Sequence, residues 1–374
     1  MAAHAKLSAS GSDRWLTCAG SVAAESNIKE RPSGFAMEGT AAHEMAELCL
    51  TKNREAISYL NQTLPESQWK VDEDMCEHVQ TYVDYVDQFK GTRFIEQRVD
   101  FSKYVPEGFG TADAIVIDNA TMHIIDLKFG KGIKVYADNN SQGKLYAIGA
   151  LCDYGFLYDV TTVAIHIVQP RIDNISVWEI SVKDLLIWAE WVKGRAQLCS
   201  EPDAPRVASD KACLFCKAKP ICPELMALTE SVTLADFTDI SVSAKSPDKL
   251  SDRDLRFALE NKKLIISWLD AVECLAFEKL SDGHNFPGYK LVHGRSSRSW
   301  ADLQVATSVL VEELGNAAYS APKLITVAQA EKTFGKKKIG LLEGLVSKHE
   351  GKPTMVPESD NRPEINSGDI SDFD

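Results

Sequence analysis

The chain reads as a mixed α/β protein, with a central sheet flanked by helices and a mainly helical C-terminal region. Three observations carry that expectation. Apolar residues at helical spacing (Met75, Val79, Tyr82, Val83, Val86, Phe89) give way at Arg93 to β-branched runs that end near Phe129. A helical stretch, Ser141–Asp153, then precedes a continuous apolar run, Thr162–Gln169, so helices and strands interleave around one core. After about Leu228 the strand signature fades and long helical patterns dominate.

In chain order, a short capped helix at 13–18 runs into a loop at Pro32-Ser33-Gly34. A helix starting near Gly39 carries Ala42, Met45, Ala46, Leu48 and Cys49 on a broad apolar face, with His43 and Glu47 one turn apart. The amphipathic helix at Asp72–Phe89 follows. Strands are expected at Arg93–Phe101, Thr111–Asp118 and Thr121–Phe129, and a loop with exposed Lys131 and Lys134 spans Gly130 to Asn140. The helix at Ser141–Asp153 puts Gln142, Tyr146 and Gly149 on one face. Beyond it come the buried strand Thr162–Gln169, another strand at Ile175–Ile180, and a Trp- and Leu-rich helix at Val182–Cys199. A long helical region then extends from Ser246 to about Leu280, followed by a strand at Tyr289–His293 and further helices to His349. The implied division is 1–228, 229–356 and a disordered acidic tail at 357–374.

A length of 374 residues with 44% hydrophobic and 25% charged residues describes an ordinary globular chain. Charged residues interrupt every long apolar run and no secretion signal is visible, so a cytoplasmic location without membrane contact is expected. A net charge of −13 argues against coating nucleic acid by bulk electrostatics, though not against a local basic groove around an acidic metal site.

The chemistry centres on the hairpin that the runs Thr111–Asp118 and Thr121–Phe129 form across Asn119-Ala120. Its symmetric register sets Asp113 opposite Asp126, with Lys128 further along the same face. Opposed carboxylates repel, so two of them beside a lysine call for a divalent cation. Asp113 followed by Asp126-Leu127-Lys128, then Gln142 to Tyr146, with Gly39 to His43 upstream, resembles the RecB-like branch of the PD-(D/E)xK nucleases. That resemblance covers roughly residues 1–228 and implies a restriction-endonuclease-like core.

It further implies that Asp113, Asp126 and the carbonyl of Leu127 bind Mg²⁺ or Mn²⁺, with His43 as an additional ligand favouring Mn²⁺. Lys128 would orient and help deprotonate the attacking water, and Gln142 and Tyr146 would contact the DNA backbone or support the lysine. A capping or core histidine is the competing reading of His43, and Glu96 reads equally as a further ligand or a surface residue.

Cys213, Cys216 and Cys222, with Pro223 behind them, suit a tetrahedral sulfur site whose fourth ligand comes from elsewhere. Cys18 stands where iron–sulfur RecB-like nucleases place their first cysteine, an arrangement shared by the CRISPR-adaptation and AddB-type nucleases. The resemblance therefore implies a four-iron, four-sulfur (4Fe-4S) cluster on Cys18, Cys213, Cys216 and Cys222; structural Zn²⁺ is the alternative.

Farther on, Arg295, Arg298 and Trp300 offer a phosphate grip and a stacking ring, or simply a loop capping a helix. Lys332 and Lys336–Lys338 form a basic patch that reads as a solvated face or a DNA contact. The overall layout resembles an uncharacterised phage and prophage family of RecB-like proteins. The acidic end, Asp369–Asp374, is similar to the tails by which single-strand-binding proteins recruit partners, although a plain disordered end fits as well. The expected function is a metal-dependent DNA exonuclease acting on ends or single strands in phage replication or recombination, inside a bacterial host cell. Its partners would be DNA and a phage single-strand-binding or recombination protein. The alternative is a non-catalytic DNA-end-binding or recruitment module that retains the nuclease fold.

Overall fold

The computed structural model of the chain describes residues 5–28, 34–234, 252–284 and 288–289. These all belong to one unit, Met1–Leu291; a second unit, Val292–Asp374, lies outside the described residues. With it lie the expected contacts at Arg295, Arg298 and Trp300, the Lys332–Lys338 patch and the acidic tail.

Short helices α1 (Ser12–Thr17) and α2 (Ser21–Glu25) lead to α3 (Gly34–Lys52) and α4 (Glu73–Val86). The hairpin region supplies β1 (Thr92–Asp100), β2 (Phe109–Asp118) and β3 (Thr121–Leu127). Helix α5 (Ser141–Tyr154), strands β4 (Thr162–Gln169) and β5 (Asn174–Ser181), and α6 (Val182–Leu198) follow. The described part closes with α7 (Asp210–Cys213), α8 (Pro223–Leu234) and α9 (Asp252–Ser281). Among the described residues no helix is long and apolar enough to cross a membrane.

The five strands form one mixed sheet in the order β1-β2-β3-β4-β5, in which only the β3–β4 pair is parallel. A parallel pair requires a long crossover, and α5 provides it. The apolar runs of β2 and β3 do not alternate with polar residues because both faces of the sheet are covered. Ile115, Ile117, Met122 and Ile124 pack with Leu145 and Ile148 of α5 and Leu185 and Ala189 of α6. Ala114, Val116, Ile125 and Leu127 pack with Met45 of α3 and Met75, Val79 and Tyr82 of α4. The result is three layers with the sheet in the middle.

Local chemistry sets the helix starts. The Asp72 side chain accepts from Met75 N at 2.8 Å, and Glu73 and Asp74 follow in the first turn of α4. Asn140 and Ser181 cap α5 and α6 in the same way. Helix α3 begins at Gly34, a turn or more before the expected start near Gly39. That added turn is exposed, and Glu38 ties it down with an ion pair to Arg171 at 2.9 Å.

The expected boundary at residue 228 falls inside α8. Leu264 of α9 is buried with Cys18, Ala212, Cys213 and Leu225, so this later helix completes the first unit instead of opening another. Its apolar face needed a partner, and the cysteine region supplies one.

Candidate metal centre

The hairpin pairs Ala114 with Ile125 and Asp118 with Thr121, the expected register, whose next step brings Asp113 opposite Asp126. On the other side β1 pairs Ile95 with Ala114 and Gln97 with Ala112, while the pairing lapses at the intervening Glu96. Glu96 thus stands across from Asp113, and three adjacent strands each present a carboxylate at one level of the sheet. Its φ of 45° is left-handed backbone, a conformation that costs a glutamate roughly 1–3 kcal/mol and that the surrounding structure must impose.

From α3, His43 Nδ1 comes within 3.2 Å of Asp113 Oδ1. The other Asp113 oxygen, Oδ2, accepts from Leu127 N at 2.7 Å and so fixes the last peptide of β3. Donor atoms of His43, Glu96 and Asp113 all lie within 4.8 Å of one another.

Helix α5 closes the opposite side. Gln142 Nε2 donates to Asp126 Oδ1 at 3.0 Å and to Tyr146 OH at 3.1 Å, while its Oε1 accepts from Lys128 Nζ at 2.9 Å. Lys128 Nζ also forms a 2.8 Å ion pair with the buried Asp126 Oδ2. The ring of Tyr146 lies against Gly110, where an added Cβ would be 2.6 Å from Cε1. The glycine that opens the motif stretch is therefore needed for close approach.

Burial and crowding of charge set the electrostatics. Burial opposes a charged His43, yet the adjacent Asp113 and the nearby Asp126 raise its pKa to about 9. Burial, then the Asp113 charge, push the Glu96 carboxyl up to about 8. Asp113 is held below the ordinary range: burial works against its charge, but His43 and Lys128 outweigh it. Asp126 is raised by burial, which Lys128 offsets only in part and Asp113 reinforces. Burial disfavours the Lys128 ammonium, but Asp126 holds it charged.

Three carboxylates and one imidazole suit a hard or borderline divalent cation. The structure brings together His43, Asp113, Asp126, Leu127, Lys128, Gln142 and Tyr146, which the sequence named, and assigns Glu96, whose placement the sequence had left open, to the same cluster. A cavity of about 690 Å³ opens elsewhere, beside Phe89, Arg93, Asp118 and Asn119 at the hairpin turn, and none of the site residues lines it.

Other supports carried no motif. The Arg171 guanidinium pairs with Glu38 and Asp74 and lies 4.4 Å from the centroid of Phe129, the residue after Lys128. Ser12 Oγ meets Ser141 Oγ at 2.6 Å, and Ser141 donates to Asp13 Oδ1 at 2.7 Å, so α1 holds the α5 turn that bears Gln142.

The same α1 leads to the cysteines. Cys18 and Cys213 are buried in one apolar cluster with Cys222 packed beside it, and Val207 N donates to Cys18 Sγ at 3.3 Å. Burial, then the Glu25 carboxylate, push the Cys216 thiol up to about 11. Glu25 itself accepts from Lys217 N at 2.6 Å and pairs with Arg14 at 2.9 Å, fastening the N-terminal segment to the cysteine loop. Among the described residues, the cysteine sulfurs do not come within 4.8 Å of one another in threes.

A solved structure titled "Crystal structure of SSO0001" is similar at 16% identity, covering 56% of this chain and 95% of its own. Its TM-score is 0.24, too low to carry an argument about fold or function. A family match extends over nearly the whole sequence, residues 4–363. The chain belongs to that family, described as "Protein of unknown function (DUF2800)".

Proposed function

We propose that this protein is a Mg²⁺- or Mn²⁺-dependent nuclease with a core of the RecB-like PD-(D/E)xK type, hydrolysing phosphodiester bonds at DNA ends or in single strands. Phage replication or recombination in the bacterial cytoplasm is the setting this reading implies. One observation carries it: residues from α3, β1, β2, β3 and α5, far apart in sequence, converge, with donor atoms of His43, Glu96 and Asp113 within 4.8 Å of one another and Asp126, Lys128 and Gln142 bonded together beside them.

His43, Asp113, Asp126 and the Leu127 carbonyl would hold the cation, with Glu96 as a further carboxylate. A divalent ion there supplies polarisation of a phosphoryl oxygen and a more acidic water. The protein's own groups do the rest. Asp113 anchors the Leu127 peptide and so aligns β3 with the acids. Lys128, held between Asp126 and Gln142, directs an ammonium at the position where charge grows on the phosphate. Its neighbour Asp126 keeps it charged, so neutralisation of phosphate charge and orientation of water are the roles that suit it. Gln142, braced by Tyr146, keeps that lysine in place.

The reading extends to a 4Fe-4S cluster on Cys18, Cys213, Cys216 and Cys222. Cys18, Cys213 and Cys222 meet in one apolar cluster, and Arg14 and Glu25 tie the Cys216 loop to the segment that bears Cys18, which supports a shared ligand set; iron–sulfur in place of zinc follows from the family resemblance. Such a cluster would act as a structural closure.

The test compares wild type with Lys128→Ala and Asp113→Ala on end-labelled DNA with Mg²⁺ or Mn²⁺. Metal-dependent cleavage lost in both variants is expected. A folded wild type that cuts no better than they do would sink the nuclease reading. Anaerobic purification with metal analysis decides the cluster, and a colourless, zinc-loaded protein would overturn it.

A further inference from the structure

The segment following Lys128 is a loop in residues 130–137, and its construction is unusual. Two buried side-chain amides hold its backbone. Gln169, 2% exposed, donates to Gly130 O and Ile133 O, both at 2.8 Å, and accepts from Val135 N at 3.2 Å. Asn174, 4% exposed, donates to Val135 O at 2.8 Å, and Ser176 Oγ accepts from Ala137 N at 3.0 Å. Core positions on β4 and β5 are therefore spent on shaping a surface loop.

The loop nevertheless turns its large side chains outward. Tyr136 is 58% exposed and Ile133 46%, and Lys134 Nζ lies 5.3 Å from the centroid of the Tyr136 ring. Lys131 is exposed as well, 3.7 Å from Asp74. A rigid scaffold presenting an aromatic face with cations beside it is the arrangement by which proteins hold single-stranded nucleic acid.

We propose that the 130–137 loop is a stacking platform for single-stranded DNA beside the candidate metal centre, with Tyr136 receiving an unpaired base and Lys134 its phosphate. This deepens the nuclease reading and rests on it. A duplex hides its base faces, so a ring on this loop could stack only on unpaired bases. At a net charge of −13, long-range attraction to DNA is poor, and contact depends on local cations and on stacking, which bulk charge does not weaken. Asn140 Nδ2 donates to Tyr136 O at 3.2 Å, and Asn140 caps α5 two residues before Gln142, so the platform is joined to the helix that closes the candidate site.

The experiment measures binding of the full-length protein to fluorescein-labelled oligothymidylate and to a blunt duplex, with calcium replacing magnesium to prevent cleavage. Tyr136→Ala should weaken oligothymidylate binding by about fivefold or more, Tyr136→Phe should restore it, and duplex binding should change little. Lys134→Ala should flatten the salt dependence of single-strand binding. Unchanged melting temperatures would establish that the variants fold. If wild type binds and cleaves DNA while Tyr136→Ala matches it on oligothymidylate, the platform is wrong and the nuclease reading stands. Equal losses on single strand and duplex also refute the platform. A folded wild type that neither binds nor cuts either DNA overturns both.

Discussion

Glu96 holds a left-handed backbone with its carboxyl among like charges, and both features oppose stability in the metal-free protein. Glycine adopts that backbone without steric cost. Glu96→Gly should therefore retain or raise stability in chelator, by up to about 1 kcal/mol in urea unfolding. The same variant should lose much of the rise in melting temperature that Mn²⁺ gives the wild type, since ligands that bind only the folded state stabilise it. A Mn²⁺ response equal to wild type would remove Glu96 from the ligand set. Gln142 makes a sharper test of positioning. Gln142→Ala leaves Lys128 with only its ion pair to Asp126, so cleavage should fall at least tenfold in kcat with little change in KM, measured by steady-state kinetics.

At the scale of elements, α5 is the hinge between sheet and site. Gly149 brings it against β1, where an added Cβ would stand 2.8 Å from Val99 Cβ. Gly149→Ala should push the helix outward and cost about 1–3 kcal/mol in chemical denaturation, with cleavage reduced because Gln142 and Tyr146 move with the helix. Strands β3 and β4 and helix α4 share a different polar feature. His166 Nε2 meets His123 Nδ1 at 3.0 Å, and its Nδ1 meets Tyr85 OH at 2.8 Å. Burial, and then His123, depress His166 from 6.5 to about 4. Between those values the unfolded chain binds a proton that the folded one refuses, so stability falls as pH drops through the window and is unaffected above it. The loss should total on the order of 3 kcal/mol from this 3%-exposed side chain, seen as a falling urea midpoint that flattens in His166→Gln.

For the whole molecule, the cysteine closure joins the first and last parts of the described unit. Cys18, Cys213 and Leu264 share one cluster, and α1, which ends just before Cys18, grips α5 through Ser12, Asp13 and Ser141. Loss of the closure should therefore reach the site. Cys18→Ser is expected to lower the melting temperature by several degrees, bleach any iron–sulfur absorbance and reduce cleavage. A bleached variant with wild-type melting and cleavage would mean that the cluster region and the site are independent.

Much of this architecture was legible in sequence because it rests on local rules. β-Branched and apolar runs located the five strands, period 3.6 the helices around them, and the symmetry of the hairpin set Asp113 against Asp126. His43, Asp113, Asp126, Lys128, Gln142 and Tyr146 were marked as a candidate site by their resemblance, in order and spacing, to a known motif set. What lay beyond local rules was decided by packing. Glu96 joins the acids only because β1 pairs beside β2 and its backbone turns left-handed there. Arg171 reaches Glu38, Asp74 and Phe129, and Ser141 reaches Ser12 and Asp13, across long sequence separations with no motif to announce them. Helix α9 carried an apolar face in sequence, but its attachment to the cysteine region was unreadable, since apolar surface specifies burial without naming a partner. Sequence alone thus determined the strands, their helices and which polar residues lie at one end of the sheet. Tertiary structure alone decided which distant side chains complete and brace that chemistry, because those contacts depend on how whole elements dock.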